Sequence, residues 1–207
     1  MGARPFIITF AIRGSDGQIH SLLMRAHVSP ETRHVSWNPM QLDFLQKLWN
    51  QPISWVGHHS KFDLHMLEHI GLSVPKVVDD TMIAIHCLRS NDEHGLKPLC
   101  KKYMGVPTDD EDRWKDSAKK AKSKAARAGQ LVGKRVVDNI CMADPELVNQ
   151  YARNDVQLRT LPLWEFLKPL LDSEGVMDTY QMEKDLQEVT MAMDSWGIYV
   201  NRVVLNQ

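Results

Sequence analysis

Tyr151-Ala152-Arg153-Asn154-Asp155 is the stretch on which the reading of this chain turns. It follows Asp144-Pro145-Glu146, where Asp144 suits a helix N-cap and Pro145 the first helical position, and it enters an apolar-periodic run through Leu158, Leu161 and Leu163. The pentapeptide therefore lies inside a helical region read from Pro145 to about Leu171. Four residues apart, Tyr151 and Asp155 share a face, which brings a phenol and a carboxylate to one small site. The pair suits metal-assisted hydrolysis: a carboxylate holds a hard divalent cation and a phenol orients the attacking water. By itself Tyr-x-x-x-Asp is a weak signal, because most such pairs are solvated or capping groups.

Around that stretch, 207 residues with 43% hydrophobic and 25% charged content suffice for one substantial domain and a fragment of a second. No run approaches the roughly 18 apolar residues of a membrane span and no signal peptide opens the chain, so a cytoplasmic protein is expected. Cys87, Cys100 and Cys141 are widely separated, which argues against a disulfide framework or a cysteine zinc site. The net charge of −1 does not announce a nucleic-acid binder, although the charge is unevenly spread.

Pro5 to Ile12, the turn Gly14-Ser15-Asp16-Gly17 and Ile19 to Ala26 read as a β-hairpin. Asn38-Pro39-Met40 opens a helix with Leu42, Phe44, Leu45 and Leu48 on one face, and Ile53 to Val56 is a short buried strand ended by Gly57. His58 to Asp63 then leads into a helix carrying Leu64, Leu67 and Ile70 and stopped by Gly71. Asp63 thus sits at the carboxyl end of a buried strand, where open α/β sheets place ligands. Val77 to Met82 passes from strand to helix, and Asp79 or Asp80 serves as a helix cap. Leu96 to Met104 is a further helix. Asp109 to Asp112 is acidic; Arg113 to Arg135 is rich in lysine and alanine, broken by Gly129 and Gly133. That segment is either a solvated helical insertion or an arm that grips phosphates. A second helix runs from Met177 to about Trp196, and Gly197 to Asn201 starts a strand or turn.

These residues resemble the proofreading 3′–5′ exonuclease domain of family A DNA polymerases, within the DEDD, RNase H-like superfamily, in a form most similar to phage proteins. Gly57-His58-His59-Ser60-Lys61-Phe62-Asp63 is similar to the family's second motif, Asn-x-x-Phe/Tyr-Asp. Tyr151 and Asp155 match the third motif in its tyrosine variant, and Asp80-Thr81-Met82 and Leu96-Lys97-Pro98-Leu99 resemble connecting segments. The stretch from Met182 to Val200 resembles the entry into a polymerase domain. The resemblance implies an α/β fold, an RNase H-like mixed sheet flanked by helices, with residues 1–175 as exonuclease domain and 176–207 as the start of a polymerase domain. It implies Mg²⁺ or Mn²⁺, two ions in the complete site, held by Asp63 and Asp155, with Tyr151 positioning the water. The implied partners are a single-stranded DNA 3′ end or primer-template and a polymerase domain of the same parent chain, in the host cytoplasm if phage-encoded. His59 stands where the family has Asn, and is assigned with Lys119, Lys120, Lys122 and Lys124 to substrate binding.

The family's first motif, Asp-x-Glu, does not occur before Asp63. The expectation is a chain that begins after that motif and lacks the first, central strand. Either the remaining sheet pieces then pair directly or a gap is left between them. Two carboxylates oppose a formal charge of four on two divalent ions, so this chain is expected to cleave slowly or not at all. Other readings are an inactive exonuclease-like module and an exoribonuclease resembling RNase D. Zinc hydrolysis through His65 and His69 lacks the general base of His-Glu-x-x-His, since residue 66 is Met. Phe62 is expected in the core.

Overall fold

The structure is a computed structural model in which residues 5–75 and 77–197 are described. Strands β1 (Ile7–Arg13) and β2 (Ile19–Arg25) form the expected antiparallel hairpin, in register from Ile7 opposite Arg25 to Arg13 opposite Ile19. Its turn places Gly17 at φ +78°, a conformation without penalty for glycine. A second small hairpin, β3 (His27–Val28) with β4 (Val35–Ser36), was not legible as strands, being two residues a side.

Helix α1 (Pro39–Trp49) starts on a capping box: Met40 N–H donates to Asn38 at 2.8 Å and Asn38 N–H to Gln41 at 3.3 Å. It buries Leu45 against Ile8, Leu67 and Leu72, whereas Phe44 turns out to solvent, off the expected apolar face. The next strand is shorter than the sequence suggested: Ile53 is exposed, and only β5 (Val56–Gly57) pairs, in parallel, with β6 (Asp79–Asp80). Helix α2 (Ser60–Glu68) lies between them, and Gly71 (φ +90°) ends that unit.

Helices α3 (Thr81–Leu88), α4 (Leu96–Met104), α7 (Leu161–Ser173) and α8 (Met177–Trp196) enclose the largest core cluster, with Ile85, Leu99, Leu163, Leu167, Leu171 and Tyr180. Burying such side chains is worth about 1.5–3 kcal/mol each before entropy is counted. Helix α5 (Asp109–Arg127) takes in the acidic cluster as its first turn, where carboxylates complement the helix dipole, and seats Trp114, Ala118 and Ala125 inward. A 3₁₀ turn, Val137–Met142, follows.

The region read as one helix is three pieces. Helix α6 (Pro145–Asn154), capped by Asp144, runs into a π turn at Asp155–Thr160 before α7 begins. The expected strand or turn at Gly197–Asn201 lies, beyond Gly197, outside the described residues.

Among the described residues the hairpin and the β5–β6 pair do not hydrogen-bond to one another. Of the two expected outcomes, the gap is the one found. Trp49 and Trp55 flank it, and each has a buried indole N–H with no partner among the described residues.

Candidate active site

The gap between β1 and β5 is a cavity of about 370 Å³. Ile8 and Phe10 line it from the hairpin, Trp49 and Trp55 from the floor, and Asp63, Tyr151 and Asp155 from the helical side. Asp63 reaches it because α2 starts abruptly. His59, the residue before the helix, adopts φ +57°, strained for a side chain of its size. Buried Asp80 holds that turn: it accepts from His59 N–H at 3.1 Å, Ser60 N–H at 2.6 Å and Ser60 Oγ at 2.6 Å. The same carboxylate caps α3 through Met82 N–H at 2.7 Å, so Asp80 is the cap foreseen from sequence. Asp79 instead accepts from Tyr180 Oη and Lys184 Nζ, both at 3.0 Å.

Asp63 is exposed to the open cavity and walled by protein elsewhere. That enclosure, with the charges of Asp80 and Asp155, pushes its carboxyl up to about 6. Asp155 is also raised by burial, against the pull of Lys97 and Arg159. Asp63 and Asp155 line the same cavity, and the charge of Asp155 bears on Asp63.

The cations around them are Arg159, one turn beyond Asp155, and Lys97, from the segment Leu96-Lys97-Pro98-Leu99. Arg159 is 1% exposed; its Nη1 donates to Asp155 Oδ1 at 2.9 Å, and both terminal nitrogens donate to Asp110, at 2.9 and 2.7 Å. Lys97 Nζ donates to Tyr151 Oη at 2.9 Å, pairs with Glu111 at 3.1 Å and lies 4.6 Å from the Tyr151 ring centre. Burial pulls the Lys97 ammonium down, but Asp155, Tyr151 and Glu111 outweigh it and hold the lysine charged. Burial raises the Tyr151 phenol, and Asp155 adds to this while Lys97 opposes it. An ammonium has no lone pair, so Lys97 can only donate, and the Tyr151 O–H proton must point elsewhere. The one sequence hint was Lys97 in the Leu96-Lys97-Pro98-Leu99 segment.

Other expected residues fall outside the cavity. His59 is exposed and it is His58 that lines the wall, its Nδ1 2.9 Å from Thr81 Oγ1. Phe62, expected in the core, is 56% exposed, because the apolar face of α2 is taken by Leu64 and Leu67. Lys119, Lys120, Lys122 and Lys124 lie on α5; Lys119 pairs with Asp116, Lys122 donates to the Lys134 carbonyl, and Lys124 lines a second cavity beside Arg33. His65 sits 3.3 Å from Glu68, and among the described residues no group of three or more His, Cys, Asp or Glu side chains could hold a metal ion. Two carboxylates, one already bonded to a guanidinium, do not by themselves fit a pair of divalent cations.

Among solved structures, Brucella melitensis NrnC with bound Mg²⁺ superimposes with a TM-score of 0.56 at 16% identity, over 92% of this chain and 84% of that one. The same protein bound to pGG gives 0.55 at 18%. At such identity the likeness speaks to the fold, which is α/β of the RNase H-like kind. DNA polymerase I of Rhizobium leguminosarum is 27% identical over 77% of this chain, and DNA polymerase DpoZ of Acinetobacter phage SH-Ab 15497 is 30% identical over 70%. Those matches span only 14% and 22% of the relatives' own lengths. No described helix is long and apolar enough to cross a membrane. With residues 6–172 matching the 3′–5′ exonuclease family model, the chain belongs to the 3′–5′ exonuclease family.

Proposed function

We propose that this chain is the proofreading exonuclease part of a polymerase I-type protein of the phage kind, acting on single-stranded DNA 3′ ends in the host cytoplasm. The observation that carries the reading is that Asp63, Tyr151 and Asp155, distant in sequence, line one cavity. The assigned roles are Asp63 and Asp155 as ligands of Mg²⁺ or Mn²⁺ and Tyr151 as the group that positions water. Lys97 directs the Tyr151 hydroxyl, and the lysines of α5, with His59, guide the strand. A second ion needs further carboxylate charge. The gap between β1 and β5 suits an extended segment: among the described residues β1 and β5 do not pair across it, and the buried indole N–H groups of Trp49 and Trp55 have no acceptor. We assign it to a strand bearing the missing Asp-x-Glu. Residues 1–175 then form the exonuclease domain and residues 176–207 the start of the polymerase domain.

The test uses 5′-labelled single-stranded DNA and Mg²⁺ or Mn²⁺, with the chain alone and with an added apolar strand peptide containing Asp-x-Glu. Little cleavage alone, and a ladder shortening from the 3′ end with peptide, is the expected result; Asp63→Asn should abolish it. The Arg159–Asp155 ion pair favours a second reading, an inactive nucleic-acid-binding module. DNA binding without cleavage under every condition would establish that reading and overturn the first.

A further inference from the structure

Helix α8 lies against the turn that delivers Asp63, and the face it presents there is mostly polar. Tyr180, Lys184, Gln187, Met191 and Asp194 recur at intervals of four, three, four and three residues, which places them on one side of the helix. Met191 packs on Leu64 and Val78, the usual way for a helix to be held. The other four reach polar groups of β6, the residue before it and the first turn of α2. Tyr180, 1% exposed, accepts at Oη from the Asp80 N–H at 3.1 Å and donates to Asp79 Oδ1 at 3.0 Å, an oxygen that Lys184 Nζ also meets at 3.0 Å. Gln187, 4% exposed, donates to the Val78 carbonyl and faces Ser60 Oγ, each at 3.4 Å. Asp194 pairs with Lys61 at 2.9 Å.

These contacts converge on two residues that hold the turn. His59, at φ +57°, keeps its strained conformation because the Asp80 carboxylate takes the N–H groups of His59 and Ser60. Asp80 does this from a fixed backbone, and Tyr180 bonds the N–H of that backbone. Directional bonds from buried polar side chains fix register, which apolar packing specifies less tightly. We propose that Tyr180 and Gln187 are positioning residues for Asp63, acting through Asp80 and Ser60 to keep the turn in the conformation that points the carboxylate into the cavity. No residue of α8 lines that cavity, so the helix sets the site from outside it. The proposal rests on the reading of Asp63 as a site carboxylate.

The test compares the 207-residue chain with Tyr180→Phe, with Gln187→Met and, as a control in the same core cluster as Tyr180, with Leu171→Val. Amide hydrogen exchange read residue by residue should speed up at least about tenfold at His59 and Ser60 in Tyr180→Phe, and in the same direction in Gln187→Met, while the β1–β2 amides keep the parent's rates. Leu171→Val should not single out the turn. In the strand-complemented cleavage assay the two α8 variants should lose at least about fivefold in kcat with KM unchanged, and Leu171→Val should cleave as the parent does. Parental exchange at His59 and Ser60 in Tyr180→Phe overturns the proposal, as does faster exchange there with a parental kcat. Unfolding of both α8 variants assigns the pair to the general core and equally overturns it. A parent chain that never cleaves defeats the exonuclease reading instead, and the exchange rates then decide by themselves whether α8 positions the turn.

Discussion

Arg159 Nη1 stands 2.9 Å from Asp155 Oδ1, so the carboxylate of the Tyr-x-x-x-Asp motif is held by a buried guanidinium that also grips Asp110. Removing the guanidinium leaves the nearly buried Asp110 and the partly exposed Asp155 without their shared cation. Arg159→Met is therefore expected to lower stability by about 3–5 kcal/mol in urea unfolding at neutral pH. Replacing Asp110 by Asn in the same chain should return part of that loss, since it removes one stranded charge. A loss below about 1 kcal/mol would show the network to be slack.

Asp63 makes stability depend on pH in a direction opposite to that of a paired carboxylate. Its folded carboxyl, at about 6, binds its proton more tightly than the same group in the unfolded chain. The contribution is therefore most favourable below the unfolded value and is lost as pH rises through about 6. Asp63→Asn should leave the thermal midpoint near that of the parent at about pH 4 and raise it at about pH 8. An unchanged difference between the two pH values would contradict the enclosure described for this group.

Lys97 and Tyr151 should behave as one unit. In the strand-complemented exonuclease assay, Lys97→Met is expected to slow cleavage about as much as Tyr151→Phe, at least about tenfold, and the double variant should be little worse than either. Single-strand binding measured in EDTA should hold steady in all three. Fully additive losses would separate the two residues.

The lysines of α5 are the handle on substrate affinity. Replacing Lys119, Lys120, Lys122 and Lys124 with Ala should weaken binding of a single strand without unfolding the helix, since none of the four belongs to its buried face. For every lysine that pairs with a phosphate, its replacement should flatten the log–log salt dependence by about 0.7. Unchanged affinity and slope would return these residues to solvent.

What the sequence made legible were local patterns: the hairpin alternation, the Asn38 and Asp144 caps, and the bounds Leu96–Met104. The placing of Asp63 with Tyr151 and Asp155 was legible through the motifs' resemblance. Phe62 was misread because it was placed on the apolar side beside Asp63, whereas the buried face of that helix is formed by Ser60, Leu64 and Leu67. Lys97, Glu111, Asp110 and Arg159 were not legible as site residues. Each is an ordinary helical charge until tertiary packing brings three segments together and dries the space between them.

The π turn at Asp155–Thr160, closed by Thr160 Oγ1 donating to the Asp155 carbonyl at 2.7 Å, acts as a phase shifter. A wide turn of this kind equals one extra residue, which advances the following helix by roughly 100° relative to an uninterrupted one. It uncouples two orientations that a straight helix would lock together: α6 aims Tyr151 into the cavity, while α7 aims Leu163, Leu167 and Leu171 into the core. Removing a single residue from this turn would bring the two helices into a common phase, and one of those two faces would have to give way.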